Sequence, residues 1–88
     1  AFGCPSMGAE QLEDSEFEPM FISCEAKLKG KKIALFGSYG WGDGEWMRSW
    51  EETCTGDGAV LACDSVICNE APDDDVIADC KALGAALV

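Results

Sequence analysis

Histidine is absent from these 88 residues, and basic side chains are scarce: 6 lysines and arginines stand against 17 aspartates and glutamates. Without imidazole no Cys–His zinc site can be completed, and no two cysteines have the C-x-x-C spacing of a metal or redox motif. The net charge of -11 repels nucleic-acid phosphate and anionic lipid alike, so neither is expected as a partner. Basic protein surfaces are the expected partners. No apolar run approaches the length of a membrane span, and no basic segment precedes a short apolar one, so a cytoplasmic setting is the default. No acid–base or nucleophilic pair stands out, which argues against an enzyme in its own right. The length sets one small domain, 1–88, with a marginal core.

Cysteine, by contrast, is plentiful, with 6 residues. Most of them fall on apolar stripes of helices or strands, where a thiol acts as a small buried hydrophobe. A disulfide framework is the alternative that an even count leaves open.

The chain is organised around Phe36-Gly37-Ser38-Tyr39-Gly40-Trp41-Gly42-Asp43-Gly44, which follows the apolar strand Lys32–Phe36 and opens a helix at about Glu45. Its glycines let backbone approach a ligand closely. Tyr39 and Trp41 have nothing local to bury them and suit stacking on a flat ligand; the alternative is that Trp41 folds back onto the core. A second strand-to-helix loop, Cys4-Pro5-Ser6-Met7-Gly8-Ala9-Glu10, carries one apolar side chain at its tip, Met7, whose alternative is ordinary packing. Ser15 to Glu18 fits a capping box for a first helix, with Phe17, Met20, Phe21, Cys24 and Leu28 at helical spacing and Gly30 as its stop. Asp43 is placed to cap the second helix, whose inward stripe is Trp46, Met47, Trp50 and Cys54. Residues 59–63 and 66–68 read as one interrupted strand. Pro72 and the run Asp73-Asp74-Asp75 open a last helix with Val76, Ile77, Cys80, Leu83 and Leu87 on one face.

The order βαβαβα predicts a doubly wound parallel α/β sheet. Right-handed crossovers place the first two helices on one face and allow the third to return across the other. Both loops then lie at the carboxyl edge of neighbouring strands, where ligands of open α/β sheets bind. That edge brings Met7 and Trp41 together as the walls of a slot for a flat aromatic cofactor.

Over its whole length the chain resembles the short-chain flavodoxins of anaerobic, clostridial type. The matching stretches are Gly3 to Glu10, Leu12 to Ser15 with Phe17-Glu18-Pro19, Leu28 to Lys32, Asn69-Glu70 with Pro72-Asp73, and above all Leu35 to Met47 with its Tyr-Gly-Trp-Gly loop. The resemblance implies a flavodoxin-like fold and a low-potential, one-electron carrier that holds FMN without a covalent bond. It implies that Met7 and Trp41 sandwich the isoalloxazine ring. The Gly8 carbonyl would turn toward flavin N5 on one-electron reduction, and Glu10 would accept a hydrogen bond from N3. Backbone N–H groups between Ser38 and Trp41 would meet the pyrimidine oxygens. Ser6, Ala9, Gly37, Tyr39, Gly40, Gly42 and Asn69 complete the expected FMN-facing set. Ala9 departs from the polar or acidic residue usual at that place, which implies a shifted potential.

The family's Thr/Ser/Gly-rich phosphate loop has no counterpart, nor do its first two strands. The expectation is therefore an incomplete sheet, strands three to five of the family's order, complemented by an N-terminal fragment or by swapping between copies. Redox partners would be basic-faced reductases or oxidoreductases. An acidic α/β interaction or assembly module with an empty slot is the alternative.

Overall fold

The computed structural model describes residues 1–8, 10–40 and 42–88. In chain order the elements are β1 (Phe2–Gly3), α1 (Phe17–Glu25), β2 (Lys32–Ile33), β3 (Leu35–Tyr39), α2 (Glu45–Gly56), β4 (Val60–Leu61), β5 (Val66–Asn69) and α3 (Asp74–Ala85). β3 runs between β1 and β5, parallel to both, and β2 pairs in parallel with β4. The same two stretches of chain thus pair twice. Residues 62–65 stand opposite Ala34 and Leu35 as a bulge-like insert, which is the interruption expected from Asp64-Ser65.

The central strand reaches further than its apolar run. Gly37, Ser38 and Tyr39, expected in the glycine loop, pair with Ile67, Cys68 and Asn69. Ladder bonds to a neighbour, not hydrophobicity, carry the strand to Tyr39. Glycine is required at 37 because a Cβ there would run into the Cys4 carbonyl of the adjacent strand.

α1 and α2 cover one face. Leu35 and Ile33 are buried beneath Phe21, Trp46, Met47, Trp50 and Cys54. The Phe21 ring stands edge-on to Phe2 at 5.3 Å and to Trp50 at 5.6 Å. The expected α2 stripe is buried in full. Strand alternation turns Phe36 to the other face, where it borders an apolar cleft with Val76 and Cys80 of α3 and stays 39% exposed. α3 buries Leu83, while Ile77, expected on its inner face, is 43% exposed. Asp73 caps α3 by accepting from the Val76 N–H at 2.9 Å.

Two helix-end expectations are corrected. No capping box forms at Ser15–Glu18. Glu13, two residues earlier, accepts from the N–H groups of Ser15, Glu16 and Phe17 at 2.7, 2.8 and 2.8 Å, and the Ser15 hydroxyl also donates to it. Those four donors hold the Glu13 carboxyl down to about 2, the Ser15 side chain contributing most. α1 also ends at Glu25, before Gly30. Leu28 is still buried, and Gly30 serves the turn beyond, donating to the Gly58 carbonyl at 2.8 Å with φ +76. All six cysteines are free thiols.

Candidate functional site

The carboxyl edge of β1 and β3 is assembled by backbone bonds that run past the strands. Cys4 N–H donates to the Phe36 carbonyl at 3.1 Å and Ser6 N–H to the Ser38 carbonyl at 2.8 Å. Met7 and Gln11 then exchange N–H···O bonds of 2.8 and 2.9 Å, closing the tip of the first loop. Gly8 sits in that tip at φ +56, with open space where a side chain would be. Glu10 takes φ +53, uncommon for a residue with a Cβ. Met7 is 47% exposed, so it is no core residue.

Glu10 joins the two loops. Its Oε1 accepts from the N–H groups of Asp43, Gly44 and Glu45 at 3.2, 3.2 and 3.0 Å. These are donors at the start of α2, so a carboxylate there meets both the unpaired groups and the positive end of the helix. Asp43, expected to cap α2, does not. The residue before the helix is Gly44 at φ +92, and the Asp43 carboxylate pairs with Arg48 at 3.1 Å. A Cβ on Gly42 (φ +83) would run into the Glu10 carboxyl, so glycine there lets the loops close. Carboxylate oxygens of Glu10, Asp43 and Glu45 lie within 4.8 Å of one another, a repulsion that the N–H groups offset. Sequence reasoning missed this clasp. Its trace was the pair Gly42 and Gly44, whose left-handed conformations turn successive N–H groups to one side.

The structure brings Ser6, Met7, Gly8, Glu10, Gly37, Ser38, Tyr39, Gly40, Gly42 and Asn69 to one edge of the sheet, or to the loops that leave it. Tyr39 is not the free-standing ring expected. It is half-buried, tilted at 51° against Trp46 with ring centres 5.5 Å apart. The Tyr39 carbonyl accepts from Glu70 N–H at 2.7 Å, and Asn69 pairs in register beside it. Gly40 has open space on its side-chain side. Ala9 and Trp41 lie outside the described residues, and with them the second wall of the expected slot.

A parallel β-sheet with helices on both faces and a clasped pair of loops at its carboxyl edge defines a doubly wound, flavodoxin-like α/β protein. The solution structure of two-electron reduced Megasphaera elsdenii flavodoxin matches it with a TM-score of 0.83 and 52% identity, over 97% of this chain and 60% of that one. In sequence the chain is similar to flavodoxins over most of its length. It is 51% identical to the M. elsdenii flavodoxin over 84 residues, 96% of this chain and 59% of that protein. It is 53% identical to the Clostridium beijerinckii flavodoxin over 72 residues, 82% of this chain and 52% of that protein. No protein-family model matches. The chain spans a little over half the length of these relatives.

Proposed function

We propose that this chain forms the ring-facing part of a non-covalent FMN site in a low-potential one-electron carrier. The observation that carries the reading is the clasp: Glu10 ties the Met7–Gln11 loop to the start of α2 at the carboxyl edge of the sheet, in a chain 51% identical to a flavodoxin over 84 residues. The site residues fit a flat ring. Met7 offers an exposed thioether, and the open sides of Gly8 and Gly40 let backbone come close to a ligand. Trp41 is assigned the opposite wall. All three clasp bonds fall on Oε1, which leaves the second Glu10 oxygen to accept from a ring N–H. Gly8, with open space where a Cβ would stand, can reverse its peptide and so present either a carbonyl or an N–H to the ring. Bound FMN supplies the one-electron chemistry. The chain orients it, shields one edge and surrounds it with negative charge that disfavours further reduction.

The phosphate cradle is assigned to an N-terminal complement; swapping between copies could extend the sheet but would not supply the missing loop. The carrier is not itself an enzyme, and its partners are oxidoreductases with basic faces. Among the described residues no helix is long and apolar enough to cross a membrane, and the proposed setting is the cytoplasm.

Flavin fluorescence tests the reading. The chain is mixed in turn with FMN and with lumiflavin, which has the ring but no phosphate. Similar quenching of both is expected, with loss in Trp41→Ala and weakening in Glu10→Gln. If neither flavin is quenched, alone or after addition of an N-terminal flavodoxin half, the site is empty and the acidic interaction module is the better description.

A further inference from the structure

Between α1 and α2 runs a groove of ≈ 850 Å³ that meets the proposed flavin site at Glu10. One wall is Glu18, Ile22 and Glu25, spaced i, i+4, i+7 along α1; the other is Glu45, Ser49 and Thr53, spaced i, i+4, i+8 along α2. Neither lysine nor arginine is among the lining residues, while Glu10 closes the end beside the ring edge. Ile22 is 55% exposed and lies off the stripe by which α1 packs on the sheet. An apolar side chain is thus held in water between carboxylates. Trp50 also lines the groove, and its indole N–H is buried with no acceptor.

We infer that this groove docks a cationic amphipathic helix of a partner protein. Charge complementarity selects the occupant. Lysines or arginines two turns apart would meet Glu18 and Glu25, a further cation would face Glu45, and an apolar side chain one turn along would cover Ile22. Mutual repulsion of these carboxylates is relieved on docking, and Glu18 already contributes to raising the Glu25 carboxyl above its ordinary range, after burial and Asp57. A helix seated here ends at Glu10, so the partner is carried to the same edge as the flavin. The inference deepens the carrier reading, but its test needs no flavin, so either can fail alone.

The probe is a fluorescein-labelled helical peptide of lysine, leucine and alanine with one apolar and one cationic stripe, followed by anisotropy with the whole chain. Binding is expected to weaken about tenfold between low and physiological salt. Glu18→Gln/Glu25→Gln should weaken it about fivefold or more. Asp74→Asn/Asp75→Asn removes the same charge from α3 on the other face and should change it less than about twofold. Ile22→Ser should weaken it several-fold, and Ser49→Lys, at an exposed position that tolerates the change, should abolish it. Equal losses in the two double variants, or unchanged binding in Ile22→Ser or Ser49→Lys, would overturn the inference, because net charge alone would then explain the affinity.

Discussion

Replacing Glu10 by glutamine removes the charge from the clasp while keeping its shape. In the folded chain one oxygen serves three N–H groups at 3.0 to 3.2 Å. A carboxylate at a helix N-terminus contributes about 0.3–1 kcal/mol when exposed and up to about 2 when partly buried, as Glu10 is. Against this stands the repulsion from Asp43 and Glu45, which glutamine relieves by a few tenths of a kcal/mol. The net expected loss is about 1 kcal/mol, or roughly 4–8 °C in Tm for a domain of this size. Thermal unfolding followed by far-UV circular dichroism reads it directly. Asp43→Asn is the control: it breaks only the exposed pair with Arg48 and eases the same crowding, so it should shift stability by less than about 0.5 kcal/mol. A Glu10→Gln variant that melts at or above the parent would refute the clasp.

Other outcomes follow from the same geometry. The folded Glu13 carboxyl lies at about 2, below its ordinary 4.5, so the stability it contributes is present above the unfolded value and lost as pH falls toward 2; Glu13→Gln should flatten that acid limb of the pH–stability curve. Glu25 shifts the other way, raised by burial and then by Asp57, so its ionisation costs stability as pH rises. Glu25→Gln should therefore stabilise the chain at neutral pH and do nothing in acid. Gly37→Ala forces a methyl toward the Cys4 carbonyl and should cost about 1–3 kcal/mol in denaturant titration. In thiol labelling at neutral pH, Cys4 and Cys54 should react far more slowly than the other four. Both are buried, and burial pushes the Cys54 thiol up to about 11; denaturant should release all six.

The order of strands and helices was legible because it rests on local pattern. Trp46, Met47, Trp50 and Cys54 recur at helical spacing and are all buried; Pro72-Asp73 announces a helix that Asp73 does cap. The rim residues were legible as a set because a parallel sheet collects its βα loops at one edge. Local pattern misassigned the bonds that close those loops. Ser15 and Asp43 have the right chemistry and position to cap, yet Glu13 and Glu10 do the work. Tyr39 reads as exposed in a glycine loop, and only the approach of Trp46 shows otherwise.

Apolar periodicity and glycine placement in the amino-acid order are sufficient to determine a βαβαβα chain with two loops on one edge. Folding alone decided that Glu10 reaches Asp43 across 33 positions, that β3 extends to Tyr39, and that Ile22 is left in an acidic groove. The physical reason is common to all three. A helical or extended pattern is written in neighbours a few residues apart, whereas a hydrogen-bond acceptor, a pairing strand or a facing helix is supplied by chain remote in sequence, whose distance and orientation exist only after the sheet has formed.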